Sequence, residues 1–157
     1  MLAPLRNRFT IAVHSCQNAF AVGAIIRVAH SFLAREIVIV GDAPYYEKAS
    51  MGMEKYETIV RVPDEDALFA HVTGRPVWAV EKDHARTNIY AVSAFPEDVV
   101  LVFGSERAGL PQSFVARADE VIGIPMYGVN HSLPVAIAAG IVMSEWARRH
   151  YASGAMV

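Results

Sequence analysis

The sequence predicts an α/β domain, a parallel sheet covered by helices on both faces. Three observations carry this expectation. Short apolar runs alternate with amphipathic ones along the 157 residues, the pattern of repeated strand–helix units. The strand-like runs are apolar throughout rather than at every second residue, as strands buried on both faces require. The length is that of one domain, 1–157, with no internal repeat, low-complexity tract or linker to divide it.

The elements follow in order. Phe9–Val13 reads as the first strand. Gly23–Phe32 reads as a helix, with Ala24, Ile25, Val28, Ala29 and Phe32 at helical spacing. Ile37–Val40 is a β-branched run closed by Gly41-Asp42, and so a buried strand. The segment from Asp42 to Tyr56 is rich in turn residues and reads either as a cover for a substrate or as a plain surface loop. Thr58–Val62 is a short strand. Pro63 then opens a helix through His71, with Asp and Glu in its first turn, where the dipole favours them. Val77–Val80 is a strand. Val99–Phe103 is the strongest strand signal, ended by Gly104. Pro111–Ala116 is a short helix. Val121–Ile124 is a strand ended by Pro125. Leu133–His150 is a long helix rich in Ala, Ile and Val.

In such sheets ligands bind beyond the carboxyl ends of the strands. The informative loops therefore follow Val13, Val40, Val80, Phe103 and Ile124. The loop Gly104-Ser105-Glu106-Arg107-Ala108-Gly109 holds two glycines five apart. They allow close backbone approach to a ligand, or they punctuate a strand-to-helix turn. It carries neither a dinucleotide fingerprint nor a P-loop. Ser105 lacks the flanking glycine spacing of a hydrolase nucleophile turn. In the loop after Ile124, Asn130 or Ser132 is placed to cap the last helix, and His131 reads as a surface histidine. Arg27 stands among apolar neighbours on the first helix. It either pairs with a carboxylate, such as Glu106, or waits for a phosphate.

Composition excludes several classes. The single cysteine, Cys16, rules out an internal disulfide framework and a multi-cysteine metal site, and no His/carboxylate set stands at metal-ligand spacing. Nothing beside Cys16 would lower its pKa, so it reads as a bystander. No apolar run approaches the roughly 18–20 residues of a membrane span, and the first residues carry no signal-type segment. A soluble cytoplasmic protein is the expectation. The net charge of −2 argues against indiscriminate, charge-driven nucleic-acid binding. Arg6 and Arg8 near the start, and Arg148, Arg149 and His150 near the end, read as solvated charge. Hydrophobic residues make up 54% of the chain, above the roughly 45–50% of an average one. That surplus points to an interface with a second copy.

Three segments together resemble the SPOUT superfamily of RNA methyltransferases, in the SpoU (TrmH-like) branch. The first is Gly23-Ala24-Ile25-Ile26-Arg27, one helix before the strand Ile37–Val40. The second runs Leu101-Val102-Phe103-Gly104-Ser105-Glu106 and on to Gly109-Leu110-Pro111. The third is Ile124-Pro125-Met126, followed by Ser132-Leu133 and Val135-Ala136. Their order and spacing cover nearly the whole chain. The resemblance implies a sheet whose C-terminal part is threaded into a deep trefoil knot. It implies S-adenosylmethionine as cofactor, with contacts at Val80, Gly104, Ile124, Ser132 and Leu133. It implies a homodimer with active-site residues from both subunits. The implied reaction is methyl transfer to a ribose 2′-hydroxyl of tRNA or rRNA, with Arg27, Glu106 and Ser132 as the catalytic set and no metal. Two positions depart from the pattern: Ala21 and Pro134 stand where the family carries asparagine. The cofactor frame is thus more intact than the catalytic one, and the alternative is a SPOUT-fold protein that binds cofactor or RNA without efficient transfer.

Overall fold

The computed structural model describes residues 6–130 and 132–150. Seven strands form one sheet. They are β1 (Thr10–His14), β2 (Glu36–Val40), β3 (Ile59–Val62), β4 (Val77–Val80), β5 (Thr87–Asn88), β6 (Val100–Phe103) and β7 (Glu120–Gly123). Their spatial order is β3-β2-β1-β6-β4-β7-β5, and every neighbouring pair is parallel. The predicted fold class is the one observed.

Every residue of β1, β2 and β6 is buried, which explains the apolar runs Ile11–Val13, Ile37–Val40 and Val100–Phe103 within them. The pleat divides them between two cores. Ile11, Val13, Ile37, Ile39, Leu101 and Phe103 face one side, together with α1 (Ala19–Ser31) and α5 (Val135–His150). Ala12, Val38, Val40, Val100 and Val102 face the other, together with Leu68 of α3 (Glu65–His71) and Phe114 of α4 (Gln112–Arg117). Each fully buried Ile, Leu or Phe contributes about 1.5–3 kcal/mol of transfer free energy.

Helix boundaries differ from expectation for identifiable reasons. α1 starts four residues before Gly23, because Asn18 caps it: its side chain accepts from Ala21 N at 3.1 Å. α3 is capped by Asp64, whose carboxylate accepts from Ala67 N at 2.9 Å, rather than opened by Pro63. α5 starts at Val135, two residues after Leu133, because Pro134 sits at its cap, where its carbonyl accepts from Ala138 N at 3.0 Å.

The segment 42–56 is not an open loop. It holds α2 (Glu47–Ser50) and a 3₁₀ turn at Met53–Lys55. Ala49 and Ser50 are buried, and Tyr46 N donates to Ala19 O at 2.9 Å. A Cβ at Gly23 would overlap Tyr46 O, so glycine is what lets this segment lie against α1.

The terminal basic residues are only partly solvated, against expectation. Arg6 is a structural partner of Glu57, whose side chain has no exposure; His30 Nδ1 lies 2.7 Å from the same carboxylate. Arg149 donates to Val92 O at 2.6 Å, and His150 Nε2 lies 2.5 Å from Phe95 O. These contacts tie the end of α5 to the segment before β6. Arg8 and Arg148 do project into solvent. No helix among the described residues is long and apolar enough to cross a membrane.

Candidate functional site

β6, β4 and β7 are consecutive in the sheet and end level with one another. Val80 lies opposite Phe103 on one side and Ile122 on the other. The loops leaving these three carboxyl ends, with the segment entering α5, enclose a cleft of about 150 Å³. Val80, Gly104, Ile124, Ser132 and Leu133 all line it, as does Glu106. Residues far apart in sequence, each expected at a cofactor site, thus meet in one place.

The wall formed by the loop after β6 is folded tightly on itself. Gly109 N donates to Ser105 O at 2.9 Å, and Ala108 N donates to Ser105 Oγ at 3.1 Å. The Ser105 hydroxyl is therefore an acceptor within its own loop. A Cβ at Gly104 would overlap the backbone of Gly109 and Leu110. Gly109 has φ +64, and a Cβ there would overlap the Glu81 carboxylate. The two glycines are thus required by the closure of the loop, the second also by its backbone conformation.

Two carboxylates pin the cleft walls. Glu81 follows β4 and is 8% exposed. Its Oε2 accepts from Leu110 N at 2.8 Å, fixing the loop after β6 to the end of β4. Its own backbone N donates to Ile122 O at 3.0 Å, on the other side. Glu106 Oε1 accepts from Val135 N at 3.2 Å, an anionic cap on the first N–H of α5. Neither Ser132 nor Asn130 performs that capping. Asn130 Oδ1 instead accepts from Ser132 N at 3.3 Å, in a turn ahead of the helix. His131 lies outside the described residues.

The structure does not bring Arg27 to this cleft. It is exposed on α1 and does not line the cavity. The Arg27–Glu106 ion pair weighed from the sequence is not formed among the described residues; Glu106 bonds to the backbone of α5 instead. Ser132 and Glu106 are together, and Arg27 stands apart. Cys16 is buried; burial above all, and the Glu106 charge, push its thiol pKa up against a backbone hydrogen bond at Asn18, and the net shift disfavours the thiolate. Glu81 is not among the residues the sequence singles out. Its signal was its place, an acidic residue directly after a buried parallel strand.

Comparison with known proteins gives the lineage. The model of the SpoU rRNA Methylase family matches residues 8–144. The chain is 28% identical over 161 residues to the 23S rRNA (guanosine-2′-O-)-methyltransferase RlmB of Coxiella burnetii, covering 97% of this chain and 64% of that one. It is 26% identical over 150 residues to the tRNA (guanosine(18)-2′-O)-methyltransferase of Thermus thermophilus, covering 92% and 77%. The crystal structure of the SpoU methyltransferase AviRb from Streptomyces viridochromogenes, in complex with AdoMet, superposes with a TM-score of 0.83 at 25% identity, covering 94% of this chain and 60% of that one. The chain spans 64%, 59% and 50% of the length of three curated relatives. The family match over residues 8–144, on a sheet of the same architecture, establishes that this chain belongs to the SpoU rRNA methylase family.

Proposed function

We propose that the chain is an S-adenosylmethionine-dependent methyltransferase acting on a ribose 2′-hydroxyl of tRNA or rRNA. The observation that carries this reading is the convergence of Val80, Gly104, Ile124, Ser132 and Leu133 on one cleft at three adjacent strand ends. The donor set fits the cofactor. Apolar side chains from Val80, Phe103, Ile124 and Leu133 suit a flat purine, rigid loop backbone suits ribose hydroxyls, and carboxylates suit a cationic amino-acid end.

When bound, S-adenosylmethionine supplies a methyl group already activated by its sulfonium. The protein's task is then alignment and exclusion of water. Glu81 and Glu106 hold the walls; Ser132, exposed at the cleft, is placed to meet the nucleotide. A guanidinium remains protonated, so Arg27 orients and neutralises RNA phosphate rather than taking the hydroxyl proton.

A homodimer completes this reading. Val28, Ala136, Ile137, Gly140 and Ile141 form the apolar part of a groove where α1 meets α5, with Ser144, Glu145 and Arg148 at its polar end, and Ile137 there is 54% exposed. That apolar surface supports pairing through α1 and α5. Arg27 adjoins it and lies outside its own cleft, which suits a site assembled from two subunits. The trefoil knot and a cytoplasmic location belong to the same proposal.

The test is labelled methyl transfer to an RNA pool, beside calorimetric titration with cofactor. The expected result is binding of about one cofactor per chain, and transfer that Arg27→Ala abolishes while cofactor affinity holds. Full activity in that variant removes Arg27 from the mechanism. A second reading, a cofactor- or RNA-binding protein without efficient transfer, is favoured by Ala21 and Pro134. Ala21 is a buried helix residue and Pro134 a backbone cap, and neither supplies a side-chain amide. Binding without transfer to any RNA would select it.

A further inference from the structure

Glu81 is a buried carboxylate in the cleft, which Lys82 and Arg107 also line. Among the described residues no Lys, Arg or His nitrogen makes an ion pair with it; the adjacent Lys82 Nζ pairs with Asp83 instead, at 3.6 Å. Among the described residues its partners are backbone donors: Leu110 N on Oε2 at 2.8 Å, and Asp83 N on Oε1 at the long distance of 3.4 Å. A carboxylate offers about four acceptor sites, so about half remain unused on a residue that lines the cavity. An anion withdrawn from water without a counter-charge is unfavourable unless something cationic joins it. The side chain is also held fast. It is gripped between Leu110 N and the positive-φ backbone of Gly109, where a Cβ would overlap it, so it cannot swing out to solvent without dismantling the wall.

We propose that Glu81 is the counter-anion for the positive charge of the cofactor, so that the cleft selects cationic adenosyl sulfonium and amino-acid ligands over neutral adenosyl thioethers. The proposal rests on the cofactor reading above and adds to it a residue and a basis for discrimination. The chemistry has a consequence for turnover. Methyl transfer converts a sulfonium into a neutral thioether, so any part of the attraction directed at sulfur is lost as the product forms, which favours its exchange for fresh cofactor.

The test is calorimetric titration of the wild-type protein and of Glu81→Gln with three ligands: S-adenosylmethionine, S-adenosylhomocysteine and 5′-methylthioadenosine. These carry a sulfonium and an ammonium, an ammonium alone, and neither. Glutamine keeps the side-chain volume and a carbonyl acceptor for Leu110 N, and a thermal melt checks that the variant is folded. The expected result is about a tenfold loss of S-adenosylmethionine affinity, the scale of one charge-assisted contact, with 5′-methylthioadenosine within about twofold of wild type. S-adenosylhomocysteine weakening alongside S-adenosylmethionine assigns Glu81 to the ammonium; its holding with 5′-methylthioadenosine assigns Glu81 to the sulfonium. Equal loss of all three ligands, or no loss of any, overturns the proposal and leaves Glu81 as a strut for the loop. Wild-type protein that binds none of the three removes the cofactor reading itself, and this inference with it.

Discussion

Gly104→Ala separates backbone freedom from space. Gly104 does not have positive φ, so alanine is free to adopt its conformation. On that ground alone the change would stabilise by roughly 0.4–1 kcal/mol, through a less disordered unfolded chain. Space argues the other way. The new Cβ would overlap Gly109 and Leu110 backbone atoms, which are not the far ends of flexible side chains and give way only if the loop opens. Opening breaks Gly109 N to Ser105 O, worth about 0.5–1.5 kcal/mol, and Leu110 N to the Glu81 carboxylate, worth about 1.5–3 kcal/mol. The steric effect wins, with a net loss on the order of 2–3 kcal/mol. For a chain of this size that lowers Tm by roughly 5–10 °C. Differential scanning calorimetry measures it, with Gly128→Ala as control, since a Cβ there meets nothing closer than 4.0 Å. A Gly104→Ala variant melting within 2 °C of wild type, or no lower than the control, refutes the reasoning.

Two further outcomes are expected. Arg6→Ala leaves the wholly buried Glu57 carboxylate with His30 as its remaining ion-pair partner, and should cost about 3–5 kcal/mol in urea unfolding; a loss under 1 kcal/mol would show that the pair is dispensable. Hydrogen bonding from Arg148, and secondarily from Arg149, holds the Glu145 carboxyl below its ordinary value of 4.5. A group depressed on folding contributes stability that is present above its unfolded pKa and lost as pH falls through the folded one. Glu145→Gln should therefore flatten the decline of Tm between about pH 5 and pH 2, and an unchanged acid limb would contradict the assignment.

Much of this was legible in the chain because it depends on local composition. A run such as Val99–Phe103 has no polar face to offer solvent, so it reads as a strand buried on both sides, and β6 is that strand. Parallel strands must end together, so Gly104 and Ile124, just after such runs, stand near one another; Ser132 and Leu133, just ahead of α5, were singled out only by the family resemblance, and all four line one cleft. What escaped depends on tertiary contact. α2 has four residues, too few to hold as an isolated helix, and exists because Gly23 leaves room for Tyr46 O. β5 has two residues and is defined by its pairing with β7. The burial of Arg6 follows from a carboxylate at Glu57, which no local pattern signals. Glu106 was weighed as a partner for Arg27, and it accepts from Val135 N instead.

The order of the strands also bears on how the molecule is made. Thr10 of β1 lies opposite Glu36 on one side and Val100 on the other. During synthesis β1 finds its first neighbour early, while its second edge waits for most of the chain to emerge. Until β6 arrives, that edge presents a row of unpaired N–H and C=O groups on a strand whose centre, Ile11–Val13, is apolar, an arrangement prone to pairing with another chain. With its central pairing so distant in sequence, the sheet is expected to form slowly for its size. Fragments ending before Val99 should aggregate rather than fold. Production of soluble protein is then governed by how quickly β6 reaches β1, more than by the final stability of the assembled core.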